Sequence, residues 1–201
     1  MDKHRLIKYL HAQGFSDKIV ESFRRVNREN FIPEHLREYA YENKPLPIGE
    51  GQTISQPYTI AFMLKLLELK DRQKILEVGS GSGYVLALIS EISDNSEIYG
   101  IERIKELADK SRENLKNRKN IEVICADGSL GLKQKAPFDR ILVSASARQI
   151  PQKLIEQLKI DGILVSCVNY SIVYVKKTSE GNEIKEFPGF IFVPLVEDWG
   201  E

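Results

Sequence analysis

The chain has 201 residues, which is enough for one domain with a sizeable core and leaves little room for a second. Basic and acidic residues both number 29, and this zero net charge argues against binding to long nucleic acid, which requires a basic surface. No apolar run has membrane-spanning length, and the N-terminus has the pattern of an amphipathic helix rather than a signal peptide. We therefore expect a cytoplasmic protein without membrane contacts.

The N-terminal block, residues 1–41, shows helical patterns and has no glycine-rich loop of its own. Apolar residues recur at helical spacing in residues 2–13 and in the segment that follows Ser16, a candidate N-cap. Pro33 can open a further short helix through Tyr41. We expect this block to form a helical cap against the main sheet.

The next stretch, residues 42–57, has two prolines and two glycines between Pro45 and Gly51. This composition predicts an ordered loop without regular structure, and long loops in compact domains are often functional. Pro57 fits the first turn of the helix that follows.

Residues 58–170 alternate strands with helices, which predicts a mostly parallel, doubly wound sheet with helices on both faces. One of the predicted helices runs from Pro151 to Lys159, and both cysteines, Cys125 and Cys167, are expected to be buried thiols. The predicted strands of this core are 75–78, 97–102, 121–125, 138–143 and 163–168.

The C-terminal part, residues 171–201, has no helical pattern. Strand-like runs at 172–177 and 190–193 flank a turn-rich connection at 178–182, and Pro188 is tolerable near a sheet edge. We therefore expect an antiparallel pair of strands at that edge. The prediction for the whole chain is a single α/β domain with a sheet of seven strands.

The most informative motif is Glu77-Val78-Gly79-Ser80-Gly81-Ser82-Gly83-Tyr84, between a predicted strand and a predicted helix. Its three glycines allow positive φ and close approach of a ligand, and the helix N-terminus favours an anionic or polar one. The spacing differs from the dinucleotide fingerprint G-x-G-x-x-G, which disfavours a nicotinamide oxidoreductase. It resembles the motif of methyltransferases that use S-adenosylmethionine. A glycine-rich turn without a ligand is the alternative.

Two acids at the ends of the next predicted strands extend this site. Glu102 can accept hydrogen bonds from both hydroxyls of a ribose, and Asp127, followed by Gly128, can accept one from an adenine amino group. Either acid alone could be a solvated turn residue. Because ligands of doubly wound sheets bind at the carboxyl ends of the strands, the three features together predict an adenosine-containing ligand.

The segment from Pro45 to Pro57, Pro-Leu-Pro-Ile-Gly-Glu-Gly-Gln-Thr-Ile-Ser-Gln-Pro, resembles the signature loop of the protein-L-isoaspartate (D-aspartate) O-methyltransferase family. The resemblance covers about residues 20–196. Further matches follow in the same order: Leu76 to Tyr84, Ala126-Asp127-Gly128, Ala136-Pro137-Phe138-Asp139, Ile150-Pro151, Gln157-Leu158-Lys159 and Phe192-Val193-Pro194-Leu195.

This resemblance implies a class I methyltransferase with a Rossmann-like fold, S-adenosylmethionine as donor and S-adenosylhomocysteine as product. It implies isoaspartyl-containing proteins and peptides as substrates and repair through a succinimide, and we expect a monomer. It divides the domain 1–201 into a helical cap (1–41), a substrate and active-site loop (42–57), a donor-binding core (58–170) and a C-terminal β edge (171–201).

By position, the resemblance assigns Ser55 to catalysis, where its hydroxyl would orient the substrate carboxylate. Ser55 could also serve simply as a helix cap before Pro57. No general base is needed because a carboxylate is already ionised at neutral pH, and no metal-ligand spacing of His or Cys is present. The implied donor site consists of Gln52, Thr53, Ile54, Ser55, Glu77, Gly79, Ser80, Gly81, Gly83, Glu102, Arg103, Asp127 and Gly128.

Departures from the family pattern fall at Ser144 to Arg148, at Asp161-Gly162 and at Cys167 to Asn169. The sheet end that should face the substrate lies near them, so they bear on substrate identity rather than on donor binding. Two alternatives therefore stay open: a carboxyl methyltransferase for a specific peptide partner, and a donor-binding interaction protein without catalysis. A nucleic-acid methyltransferase is disfavoured because no Asn-Pro-Pro-Tyr motif follows the fourth predicted strand.

Overall fold

The computed structural model describes residues 1–191. The α-helices are α1 (Lys3–Ala12), α2 (Asp17–Arg25), α3 (Pro57–Leu67), α4 (Tyr84–Ile92), α5 (Lys105–Leu115) and α6 (Gln152–Glu156). The strands are β1 (Leu46–Gly49), β2 (Gln52–Ile54), β3 (Lys74–Val78), β4 (Glu97–Glu102), β5 (Ile121–Cys125), β6 (Phe138–Ala147), β7 (Leu158–Val168), β8 (Ser171–Thr178) and β9 (Gly181–Pro188). Short 3-10 helices lie at Arg28–Phe31, Glu34–Tyr39, Gly128–Leu130 and Lys133–Lys135.

A seven-stranded sheet with the order β5-β4-β3-β6-β7-β8-β9 forms the centre of the domain. The strands from β5 to β7 are parallel, and β8 is antiparallel to both of its neighbours. The winding reverses at β3, which lies between β4 and β6, so a crevice opens at its carboxyl end. The predicted doubly wound fold with an antiparallel edge is confirmed.

The helical cap packs directly on the start of α4. Along α2 the apolar residues recur on one face, and that face is buried. The rings of Phe23 and Phe31 meet the ring of Tyr84 edge-on, with centroid distances of 6.2 and 5.3 Å. Since Tyr84 is the first residue of α4, these contacts fix the cap against the helix that follows the glycine motif.

The prediction of an irregular loop at 42–57 is wrong for its central part, because β1 and β2 form an antiparallel hairpin. Glu50 and Gly51 make its turn with φ values of 52° and 67°. Positive φ at both central residues is typical of two-residue type I′ turns, whose twist matches that of the two strands of a hairpin. The high proline and glycine content of the segment concealed this hairpin.

Other predicted boundaries are also corrected. The short helix predicted after Pro33 is present as a 3-10 helix at Glu34–Tyr39, whereas α6 ends before β7, which begins early because Leu158 pairs with Phe138. Cys125 is exposed, whereas Cys167 is buried as expected.

The predicted strand at 190–193 is replaced by β9, which begins at the end of the predicted turn at 178–182 and whose exposed side chains gave no apolar pattern. Residues 190 and 191 are not in a strand, and residues 192–193, like the match at Phe192 to Leu195, lie outside the described residues. Among residues 1–191, no helix is long and apolar enough to cross a membrane.

Gly83 ends the glycine motif at a point where the chain approaches α5 closely. Its φ is +87°, and a Cβ there would lie 2.5 Å from Ser111 Oγ and 2.7 Å from Leu115 Cδ1. We expect Gly83→Ala to lower the free energy of unfolding by about 2–4 kcal/mol, through backbone strain and overpacking together. Urea unfolding measures this.

Gly14→Ala is the matched control, because Gly14 has a φ of +75° but a Cβ added there would meet no atom within 4 Å. It should lose only the strain component, about 1 kcal/mol. Equal losses for the two variants would contradict the packing role of Gly83.

Candidate active site

The glycine motif forms the loop between β3 and α4, and the neighbouring strand anchors it. The N–H groups of Gly79 and Ser80 both donate to the carbonyl of Ile101, at 2.8 and 3.1 Å. Gly79 and Gly81 adopt positive φ (80° and 53°), which lets the loop turn sharply while its backbone faces a cavity. Hydrogen bonds to β4 therefore help to hold the loop in this shape.

Glu102 ends β4 and ties this loop to the next helix. One carboxylate oxygen accepts from Gly81 N–H at 2.8 Å, and the other accepts from Ile104 N–H at 3.0 Å. The side chain is only 6% exposed. Each oxygen has further acceptor capacity, so a ligand hydroxyl can still donate to either one.

Asp127 lies beyond the end of β5 and is fixed by its own turn. Its two oxygens accept from the N–H and the hydroxyl of Ser129, at 2.9 and 2.8 Å. Gly128 packs on Val78, since a Cβ at Gly128 would lie 2.5 Å from Val78 Cγ1. The chain after β5 can therefore pass close to β3 only with glycine at this position.

A cavity of about 300 Å³ lies between these strand ends and the hairpin. This volume suits a nucleoside-sized ligand. The predicted donor residues that line it are Gln52, Thr53, Gly79, Gly81, Glu102, Arg103, Asp127 and Gly128.

A second cavity, of about 40 Å³, adjoins the first along Thr53 and the glycine loop. It is lined by the remaining predicted residues Ile54, Ser55, Glu77 and Ser80. Gly83 lines neither cavity, because it faces α5. Gln56 occupies the N-cap position of α3 without a side-chain capping bond, and Asn43 Oδ1 accepts from the N–H of Tyr58 in the first turn at 2.9 Å, so the capping role considered for Ser55 has no support.

Glu77 and Ser144 meet at the wall of the small cavity. Glu77 is 1% exposed; one of its oxygens accepts from the Ser144 hydroxyl at 2.6 Å, and the other has no partner in the described part of the chain. Burial raises the pKa of Glu77 to about 8, the bond from Ser144 lowers it in part, and the charge of Glu102 raises it further. An unpaired buried carboxylate oxygen fits the ammonium group of a methionine moiety.

Ser144 was noted in the sequence only as a departure from the family pattern. The pairing of β6 with β7 shifts from Val143–Ser166 to Ser146–Cys167, so Ser144 and the next residue bulge from the ladder. Such bulges redirect side chains, and this one brings Ser144 to both cavities. The available signal in the sequence was the position of Ser144 directly after the predicted strand 138–143.

Comparison with known proteins bears on this geometry. The sequence model of the family described as protein-L-isoaspartate(D-aspartate) O-methyltransferase (PCMT) matches residues 1–200. The chain belongs to this family.

Relatives named protein-L-isoaspartate O-methyltransferase include those of Ignicoccus hospitalis, 44% identical with 98% of each chain covered, and Methanothrix thermoacetophila, 44% identical with 100% of this chain and 97% of the relative covered. A solved structure of a Plasmodium falciparum protein, described as such a methyltransferase in complex with S-adenosyl-L-homocysteine, is 27% identical, with a TM-score of 0.83 over 98% of this chain and 99% of that one.

These findings confirm the predicted activity: the enzyme uses S-adenosylmethionine to methylate L-isoaspartyl residues of proteins, a repair reaction. The partner-specific and non-catalytic alternatives are disfavoured by relatives that cover almost the whole chain. Within residues 1–191, no three side chains of His, Cys, Asp or Glu are grouped as a metal site. The roles of individual residues stay predictions.

Because Glu77 is buried, the free energy of unfolding should depend on pH. Between the unfolded pKa of about 4.3 and the folded pKa of about 8, the native state binds a proton that the unfolded state has lost. Stability should therefore fall as the pH rises through this window, by up to about 1.4 kcal/mol per pH unit.

Glu77→Gln removes this titration while preserving the shape of the side chain. Between about pH 5.5 and about pH 7.5, we expect the ligand-free enzyme to lose about 1–3 kcal/mol more of its unfolding free energy than Glu77→Gln loses. Urea unfolding at the two pH values measures the difference, and parallel pH profiles would show that Glu77 is not buried as a neutral acid.

Proposed function

We propose that Ser55 orients the α-carboxylate of an L-isoaspartyl residue for methyl transfer and that the larger cavity holds the methyl donor. The observation that carries this proposal is the contact between the two cavities along Thr53 and the glycine loop. One wall, the donor wall, consists of the glycine loop, Glu102 and Asp127 at the ends of the strands. The opposite wall, the acceptor wall, carries Ser55 and directly follows the hairpin. A methyl group bound at the junction is within reach of both walls.

The donor groups match the residues available on the two cavities. Glu102 can accept from ribose hydroxyls, and Asp127 with Gly128 can bind adenine through a carboxylate oxygen and a backbone N–H. Glu77, with its unpaired oxygen, and the loop of Gly79 and Gly81 suit the methionine part. Gln52 to Ser55, Ser80 and Arg103 complete the proposed binding set, and Gly83 supports it by packing.

Methyl transfer requires little proton chemistry from the protein. When bound, S-adenosylmethionine supplies an electrophilic methyl group on a sulfonium. The substrate carboxylate is ionised at neutral pH, so one oxygen can attack while the Ser55 hydroxyl donates to the other. The new oxygen–carbon bond forms as the carbon–sulfur bond breaks, and the protein contributes proximity, orientation and exclusion of water. The methyl ester then closes to a succinimide as the next backbone nitrogen displaces methanol.

We further propose that the enzyme is a cytoplasmic monomer that acts without nucleic acid or a membrane. Zero net charge supports the absence of nucleic acid. Both cysteines are free, which suits a reducing compartment.

Paired peptides that contain isoaspartate or aspartate at one position test the proposed acceptor. With labelled S-adenosylmethionine, we expect base-labile label on the isoaspartyl peptide only, because the acceptor is its α-carboxylate. Equal labelling of both peptides, or donor binding without transfer, would contradict the proposal.

Ser55→Ala tests the role of the hydroxyl. Loss of one hydrogen bond to a charged group should lower kcat by about 10- to 100-fold. Affinity for S-adenosylhomocysteine should stay within about threefold of the wild type, since the donor contacts are spread over the larger cavity. Ser55→Thr keeps a hydroxyl and should retain more activity than Ser55→Ala, and full turnover by Ser55→Ala would exclude the catalytic assignment.

A further inference from the structure

We propose that Arg28, in the helical cap, is a positioning residue for methyl transfer, because its guanidinium fixes the backbone at Ser55. The proposal rests on the proposed function of Ser55. It makes the cap part of the machinery that aligns substrate and donor, although Arg28 itself lines neither cavity.

The Arg28 side chain is fully buried and is surrounded by backbone carbonyls from two separate segments. Its first terminal nitrogen donates to the carbonyls of Ala40 at 2.8 Å and Glu42 at 3.3 Å. Its second donates to those of Lys44 at 3.2 Å and Ser55 at 3.0 Å, with a longer contact of 3.5 Å to Ile54. A single planar group thus joins the end of the cap to the end of the hairpin.

The chemistry of this contact requires arginine. Burial lowers the pKa of Arg28 to about 10, so the guanidinium stays charged at neutral pH. Among the described residues, the hydrogen-bond partners of the guanidinium are backbone carbonyls, which compensate in part for its lost hydration, while its Nε has no partner. Lysine cannot replace the rigid fork of donors that reaches both segments at once.

The same cap also contacts the donor side of the site. Phe31, three residues after Arg28, packs edge-on against Tyr84, which begins α4 and lines the small cavity together with Ser55. Arg28 and its neighbour therefore set the distance between the Ser55 backbone and the glycine loop. A shift of about 1 Å between reacting groups can reduce a rate by about 100-fold, so such a contact controls kcat.

Arg140 provides a matched control that lines neither cavity. It is 6% exposed and donates to the backbone carbonyls of Leu67 at 2.7 Å and Asp139 at 2.8 Å. It lies near the start of β6, at the amino end of the parallel strands, whereas Ser55 lies at the carboxyl end. Both arginines hold buried carbonyls, but only Arg28 holds those next to Ser55.

The test compares Arg28→Lys and Arg28→Gln with Arg140→Lys in the full-length enzyme. Thermal unfolding reports the stability of each variant, calorimetry its affinity for S-adenosylhomocysteine, and turnover of an isoaspartyl peptide its kcat and KM. Arg28→Gln buries no ammonium group, so it provides a second variant if Arg28→Lys does not fold.

We expect both Arg28 variants to lose about 10- to 100-fold in kcat while donor affinity stays within about threefold. Arg140→Lys should lower the melting temperature but keep kcat within about twofold when assayed below its unfolding transition. Combining Arg28→Lys with Ser55→Ala should cost little more than Ser55→Ala alone, because both changes remove the same alignment.

Retained kcat in the Arg28 variants, parallel losses of kcat and donor affinity, or multiplied losses in the double variant would each overturn the assignment. Failure of the proposed function would look different. In that case the wild type would not methylate the isoaspartyl peptide, or Ser55→Ala would keep full turnover.

Discussion

Backbone groups that leave regular structure inside a protein need polar partners, and this constraint shapes both walls of the site. On the donor wall, unpaired N–H groups of the glycine loop and of the start of α5 meet the carboxylate of Glu102. On the acceptor wall, unpaired carbonyls at the ends of the cap and the hairpin meet the guanidinium of Arg28. Each wall is thus held by one buried charged side chain, of opposite sign in the two cases.

The two walls differ in what supports them. The donor wall is built on parallel strands, and the reversal of winding at β3 brings the glycine loop, Glu102 and Asp127 to one edge. The acceptor wall is a two-stranded hairpin outside the main sheet, held in place by the cap. The proposed donor site therefore depends on the sheet, whereas the position of Ser55 depends on contacts between distant parts of the chain.

This difference explains what could be predicted from the sequence. Strands such as 97–102 and the glycine motif have local patterns, so the fold could be predicted from them, and the proposed donor residues rest on these patterns together with the family resemblance. The hairpin was missed because its turn residues, Glu50 and Gly51, looked like loop composition, and β9 was missed because its side chains are mostly exposed.

The contacts that complete the site have no local signal. Ser144 reaches Glu77 across 67 residues of sequence, and Arg28 reaches Ser55 across 27. From the sequence alone, a single arginine such as Arg28 in a helical segment would be expected at the surface. Only the fold shows that backbone carbonyls from two segments surround it. Sequence reasoning therefore proposed the chemical groups of the site but not the side chains that contact them, Ser144 and Arg28.

The central claim is that Ser55 orients the substrate carboxylate toward a donor bound in the larger cavity. Its most direct test is a crystal structure of the enzyme with S-adenosylhomocysteine and an isoaspartyl peptide. We expect the Ser55 hydroxyl to lie within about 2.6–3.2 Å of one oxygen of the α-carboxylate, with the other oxygen facing the sulfur. A carboxylate bound away from Ser55, or a donor bound outside the cavity between Glu102 and Asp127, would contradict it.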